Sequence, residues 1–321
     1  MNVLLTCAGR RSSLVRLFMA AVHPRGGLVL AGDASSLAPT LAIADRAVQL
    51  PLLSAEDYLD VLIRAIRENE VGLVVPTIDP ELPLLAAARG RIEEAGARVL
   101  VSSTRFLGVC GDKWRTCQEF GERGIDVPAS WLPAEFDPAE APTDLFVKPR
   151  RGSSSRDVHA VDRDNLGTVL PQIDDPVIQE RLSGPEITID ALFGLDDGTP
   201  LHYVPRERIR TLGGESIQGR TIDDADFREW LLRLMDVSKG LGARGPVTFQ
   251  AFLTQRGPVL TDANPRFGGG FPLGDAAGGH YPVWVVDMAE GRRVQPALGE
   301  YSRGVFMARY LVEHFTSDLP W

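Results

Sequence analysis

The run Thr261-Asp262-Ala263-Asn264-Pro265-Arg266-Phe267-Gly268-Gly269-Gly270 sets a carboxylate, an amide and a guanidinium at every second position. In a strand, that spacing aims all three side chains at one face. Gln250, in the alternating segment 246–252, adds a second amide beside them. Such a group is costly to bury unless something binds it. Its oxygens suit a divalent metal carrying a polyphosphate, and Arg266 would neutralise a phosphoryl group in transfer. Taken alone, the same residues would also serve an edge strand with a solvated polar face.

Four further stretches carry charge in patterns that could do chemistry. Lys148 ends an apolar run and is followed by Arg150, Arg151, Gly152, Ser153, Ser154 and Ser155. Lysine and loop N–H groups in that order can hold phosphates, although this is not the G-x-x-x-x-G-K-[ST] loop. A solvated basic turn is the plain alternative. In segment 177–190, Gln179 and Glu180 lead into a polar hinge whose backbone could read an adenine edge. Glu186, Thr188 and Asp190 then share a face, and Glu186 could accept from ribose hydroxyls. Arg206, Arg208 and Arg210 alternate, which predicts three guanidiniums on one face for a carboxylate or phosphate, or for ion pairs with the acidic surplus. The first turn, Thr6-Cys7-Ala8-Gly9-Arg10, could cradle an anion helped by Arg10 and Arg11. It lacks G-x-G-x-x-G, so Asp33 alone predicts no NAD site.

The elements that must position these groups fall into two textures. Segments 3–6, 28–31, 47–50, 71–76 and 98–102 are predicted strands, with helices over 12–22 and 56–69 and a third ending near Gly96. Strict alternation predicts a doubly wound parallel sheet, an α/β domain. Residues 104–130 read as two helices broken near Gly111, and 133–142 as a linker. From Leu145 short β runs dominate (145–148, 157–161, 177–180, 186–192 and 202–205), predicting a mostly antiparallel, α+β C-terminal part. A helix over 227–241, strands over 247–253 and 259–264, a helix over 284–290 and a strand within 304–312 complete the pattern.

The 321 residues are enough for two or three subdomains, and a net charge of −9 argues against a broad nucleic-acid face. Three cysteines without C-x-x-C spacing suit a reducing compartment. The N-terminal apolar run is too short for a leader or a membrane span, so a soluble, cytoplasmic protein is expected, with no membrane partner.

The order of these stretches resembles the ATP-grasp superfamily. The likeness is nearest to the ATP-binding halves of the carbamoyl phosphate synthetase large subunit and to related stand-alone ligases. It covers nearly the whole chain, with 1–103 similar to the Rossmann-like domain preceding the grasp and 104–321 to the grasp itself, its small lid at about 143–205. Gly111-Asp112-Lys113 is similar to the Asp-Lys element that opens the grasp. The resemblance implies that Lys113 and Lys148 bind ATP phosphates, with Gly152 and Ser153–Ser155 closing over them. It puts Gln179, Glu180 and Leu182 at the adenine, the last through its backbone, and Glu186 at the ribose. Gln250, Asp262 and Asn264 would hold Mg2+, or Mn2+ in its place, and Arg266 would stabilise the γ-phosphoryl group. Gln250 stands where many members carry Glu, and Asp262 is one methylene shorter than the usual Glu, which leaves one ion or two open.

The implied reaction is ATP-dependent joining of a small carboxylate, an amino acid among the candidates, to an amine. It would run through an acylphosphate, release ADP and phosphate, and need no protein nucleophile. Arg208 and Arg210 would orient the carboxylate. Asp79 and Glu81 are expected to face the same cleft and take an ammonium, an ordinary surface loop being the alternative. Two other readings stay open: bicarbonate as the acceptor, giving carboxyphosphate or carbamoyl phosphate, and a regulatory nucleotide-binding protein with a degenerate site. A homodimer is implied at family level only.

Overall fold

The apolar run of β1 (Asn2–Thr6) is buried along nearly all its length, which calls for cover on both faces of a parallel sheet. In the computed structural model of the chain, which describes residues 1–152 and 157–321, that cover is present. The first sheet holds β1, β2 (Val29–Asp33), β3 (Arg46–Gln49), β4 (Val71–Pro76) and β5 (Arg98–Val99), in the order β3-β2-β1-β4-β5. Helices α1 (Ser12–Val22), α2 (Tyr58–Glu68), α3 (Leu82–Ala87) and α4 (Arg89–Glu94) form the crossovers. Because β1 pairs in parallel with both β2 and β4, the sheet reverses its direction of growth between β1 and β4. The loops leaving the ends of these two strands therefore flank the crevice where open α/β sheets bind ligands.

Two capped helices then lead into the second half. Ser103 caps α5 (Thr104–Cys110) by accepting from Phe106 N–H, and Asp112 caps α6 (Lys113–Gly121) by accepting from Trp114 and Arg115 N–H. A four-stranded sheet follows, built from β6 (Ser130–Trp131), β7 (Asp144–Pro149), β8 (His159–Asp162) and β9 (Pro176–Glu180), in the order β6-β9-β7-β8, with α7 (Leu166–Val169) beside it. Its core is small, made chiefly of Leu145, Val147, Leu166, Ile173 and Ile178. An element with so little buried apolar surface is the part of the fold best able to move as a lid.

The remaining strands form one sheet in the order β14-β13-β10-β11-β12-β15. It comprises β10 (Glu186–Phe193), β11 (Pro200–Leu212), β12 (Glu215–Thr221), β13 (Gly245–Thr254), β14 (Gly257–Asn264) and β15 (Phe306–Ala308). One face packs on α5, α6 and α8 (Arg228–Leu241) through Phe106, Phe120, Ile187, Ile189, Phe249, Leu231 and Leu234. Helices α9 (Phe271–Ala276) and α10 (Tyr281–Ala289) join this half to α1 of the first sheet.

Three expectations change. The small sheet takes in residues 130–180, while β10 and β11 belong to the large sheet, so the small unit begins and ends earlier than the expected 143–205. β11 does not stop at Pro205 but runs on to Leu212. There Gly213 and Gly214, at φ 56° and 78°, supply the two left-handed residues of a tight hairpin turn into β12. The last strand shortens to Phe306–Ala308, the stretch of the tail that pairs with β12.

Candidate active site

The face of the large sheet opposite its core carries the polar residues in register. Thr188 pairs with Arg206 on one side and Gln250 on the other, and Gln250 pairs with Asp262. One rung therefore reads Arg206, Thr188, Gln250, Asp262. The next runs through Asp190, Thr248 and Asn264. The register shifts between Gln250 and Ala251, and this irregularity brings Asp262 rather than Thr261 opposite Gln250.

The donor set on that face is one carboxylate and two amides, Asp262 with Gln250 and Asn264. Among the described residues no group of three His, Cys, Asp or Glu could hold a metal by itself. Magnesium, however, is commonly held by one or two carboxylates and completed by substrate phosphates. The set thus fits an ion delivered with a nucleotide.

Lys148, at the end of β7, is almost wholly buried. Burial pushes its ammonium below the ordinary lysine range, with Lys113 adding to that and the carboxylates of Asp262 and Glu186 opposing it. The small sheet and the large sheet thus bring Lys148 within the field of Asp262 and Glu186. Lys113, the first residue of α6, donates from Nζ to the carbonyl of Gly152 at 2.8 Å. Ser153, Ser154 and Ser155 lie outside the described residues.

The hinge uses its side chains structurally. Gln179 is buried and donates to Ser130 Oγ at 2.9 Å and to Cys117 Sγ at 3.2 Å. Glu180 accepts from Ala129 N–H and is paired with Arg256. Both side chains are spent on fixing β9, which leaves backbone groups around Leu182 as the part of the hinge free to read a base. Glu186 meets Arg208 at 2.9 Å, and a ribose hydroxyl there would share the carboxylate with that guanidinium. Burial pushes Glu186 up, against the pull of Arg208 and Lys148.

The expected face of three arginines breaks up. Arg206 is buried on Asp190, with Nε to Oδ2 at 2.7 Å. Arg208 turns to Glu186. Register shifts on either side of Arg210 disrupt the alternation, and Arg210 is exposed. The Arg206–Asp190 pair instead forms the floor on which the glycine run lies. A Cβ at Gly270 would come within 2.6 Å of Arg206 Nη1, and one at Gly268 within 2.9 Å of Thr248 Oγ1. Thr248 Oγ1 also donates to the carbonyl of Arg266 at 3.0 Å. Phe267 packs edge-on against Phe18 of α1 with ring centroids 5.7 Å apart. The run is therefore held between the two halves of the molecule, and it fixes Arg266.

Arg266 lies just beyond β14 and reaches the first domain. Its Nη2 donates to Asp79 Oδ2 at 2.8 Å, Asp79 being in the loop after β4. Glu81 departs from expectation. It does not face the cleft but is fully buried, accepting from Tyr58 Oη at 2.6 Å and Thr6 Oγ1 at 2.8 Å. Desolvation holds its carboxyl above the usual range. A folded-state pKa raised above the unfolded one gives stability that is full below the unfolded value and is lost as pH rises through the folded one. Glu81→Gln should therefore gain thermal stability relative to wild type as pH rises above the ordinary glutamate range, read from melting curves across a pH series. A constant difference between the two proteins would contradict the buried acid. Cys7, in the neighbouring turn, is pushed up to about 12 by burial and by Glu81, so it remains a thiol.

Of two hollows, one bears on the site. One of about 210 Å3 is lined by Arg10, Arg11, Thr77, Asp79, Glu215 and Arg266 among others, at the crevice between β1 and β4. A larger one of about 500 Å3, between β3 and α2, is lined by Val48, Gln49, Arg64 and Glu68 and contains none of the site residues. Arg11 and Glu215 were not expected to share a pocket, because their meeting depends on strand order in two different sheets.

Residues 3–100 match the family model described as PylC-like, N-terminal domain. Residues 172–310 match the model described as ATP-grasp in the biosynthetic pathway with Ter operon. Residues 172–310 thus carry an ATP-grasp domain, and the match supports an enzyme of that kind, an ATP-grasp ligase. Solved structures share the ATP-grasp fold over nearly the full length of the chain. A biotin carboxylase–βγ-ATP complex from Campylobacter jejuni superposes with a TM-score of 0.77 at 14% identity, covering 94% of this chain and 73% of that one. The biotin carboxylase domain of 2-oxoglutarate carboxylase from Hydrogenobacter thermophilus, solved with MgADP, ADP and bicarbonate, gives 0.76 at 15% identity over 95% and 73%. L-amino acid ligase from Bacillus licheniformis gives 0.71 at 20% identity over 92% and 77%. At these identities the likeness is one of fold. No curated protein matches this ATP-grasp chain by sequence. Among its described residues, no helix is long and apolar enough to cross a membrane.

Proposed function

We propose that the chain joins a small carboxylate to an amine through an acylphosphate, with ATP as the phosphoryl donor. The reading is carried by one arrangement: Arg266, beside Asp262 and Asn264, projects onto the switch-point loop of the first domain. Lys148 of the small sheet lies within the field of Asp262. Phosphates held by Lys148 and Lys113 would then point their γ-end at Arg266 and at the cavity beyond it. Gln250, Asp262 and Asn264 would hold magnesium, which when bound offsets negative charge on the phosphates.

In the first step a carboxylate oxygen attacks the γ-phosphorus. The bond from that phosphorus to the β,γ-bridging oxygen breaks, and its electron pair leaves on ADP. The amine nitrogen then adds to the acyl carbon. The carbon–oxygen bond to phosphate breaks with its pair, and the nitrogen releases one proton to the departing phosphate. Arg266 lowers the cost of charge on the transferring group, and lid closure keeps water from the acylphosphate.

The test is isotope transfer. With 18O in the carboxylate, one labelled oxygen should appear in inorganic phosphate for each amide formed. Unlabelled phosphate alongside amide would rule out the acylphosphate. ADP release with bicarbonate alone, and none with organic acids, would make bicarbonate the acceptor.

A further inference from the structure

The cavity of about 210 Å3 lies between the turn after β1, the loop after β4, the start of β12 and Arg266. It is about seven times the ~30 Å3 share of one water, which suits a ligand of roughly ten heavy atoms or fewer. Three of its side chains carry atoms out of solvent with no hydrogen-bond partner among the described residues: Arg11 Nη1, Asp79 Oδ1 and Arg266 Nε. Buried groups of this kind are normally satisfied by protein or ordered water, and these three belong to side chains lining one cavity. They are two cationic donors and one anionic acceptor. Arg10 also lines the cavity, and two of the remaining carboxylate oxygens are already engaged. Glu215 accepts from Arg309 at 2.9 Å, and the second oxygen of Asp79 accepts from Arg266 at 2.8 Å. Burial, with Arg266 nearby, pushes Arg11 down to about 10, as two guanidiniums sharing a desolvated site require. Gly269 backs the cavity, where a Cβ would come within 3.2 Å of Arg11 Nη1.

We infer that this cavity binds the carboxylate substrate as a small α-amino acid zwitterion, its carboxylate on Arg11 and Arg266 and its ammonium on Asp79 Oδ1. A zwitterion laid antiparallel to the Arg266–Asp79 pair completes a square of alternating charge and satisfies all three orphaned atoms. An acid without the amino group would leave Asp79 Oδ1 buried and unpaired. The inference rests on the ligase reading for its chemistry, since Arg266 places the bound carboxylate where a γ-phosphate would be attacked.

The test uses the full chain with Mg2+ and β,γ-imido-ATP, titrated calorimetrically with glycine, L-alanine, L-serine, L-aspartate and L-glutamate. Each is paired with the acid lacking its amino group. At least one amino acid should bind, and its partner acid about 100-fold or more weaker, as expected when a buried polar group loses its partner. Asp79→Asn should shrink that ratio at least tenfold. Arg11→Met should weaken both members of the pair about 100-fold with analogue affinity within threefold, and Arg11→Lys should restore part of the loss. Binding of no amino acid overturns the inference. So does equal binding of the pairs, or an unchanged ratio in a folded Asp79→Asn protein. Failure of the ligase reading looks different: the titrations would succeed, but MgATP with the same amino acid and an amine panel would release no ADP.

Discussion

Replacing Arg266 with alanine should lower kcat by about 10^3-fold or more while leaving the KM for ATP within about threefold. A guanidinium aimed at a transferring phosphoryl group acts mainly on charge that develops in the transition state, and such arginines contribute about 10^3 to 10^5 in rate. Its backbone is fixed by Thr248 and its neighbour Phe267 by Phe18, so removing the side chain leaves the glycine run anchored. Asp79 does lose its partner, and a melting curve should accompany the kinetics. Steady-state ADP release checks the effect. A fall in ATP affinity with kcat preserved would move Arg266 from the reaction to the binding of nucleotide.

Asp262→Asn removes the carboxylate of the rung that faces the metal position. Its loss should cost several kcal/mol of transition-state stabilisation, about two to three decades in kcat/KM. The signature that separates it from Arg266→Ala is the metal dependence. Activity of the Asp262 variant should climb with Mg2+ well past the concentration that saturates wild type, whereas excess Mg2+ should do nothing for the arginine variant. The two are on opposite sides of the phosphoryl group in this reading, so the double variant should be less than additive only if both act in the same step. Wild-type activity in either single variant would mean that the site is elsewhere.

The sequence carried the strand-borne part of this site well. Alternation puts Glu186, Thr188 and Asp190 together along one strand, and Asp262 with Asn264 along another, because side chains on a strand repeat every second residue whatever lies around them. The Asp262-to-Arg266 spacing and the capped helix at Asp112-Lys113 are likewise local. What local pattern does not contain is partner choice. Arg256 takes the carboxylate of Glu180, and Asp79, 187 positions from Arg266, becomes its partner only once two sheets are docked. The same blindness hid the neighbours of Arg11: its turn marked it for an anion, but its meeting with Glu215 and Arg266 follows from the order β3-β2-β1-β4-β5. It also misplaced Glu81, two residues from a cleft-facing aspartate yet turned into the core by Tyr58 and Thr6. Arg210 failed for another reason: strict alternation holds only while the ladder keeps register, and it shifts on both sides of that residue.

The convergence of lid, large sheet and first domain on one magnesium–nucleotide pocket is tested most directly by a crystal structure with Mg2+ and β,γ-imido-ATP. The metal is expected on Asp262, the phosphates on Lys148 and Lys113, and the γ-phosphoryl group beside Arg266 at the mouth of the Arg11–Asp79 cavity. A nucleotide bound away from Lys148, or a metal that leaves Asp262 uncoordinated, would contradict it.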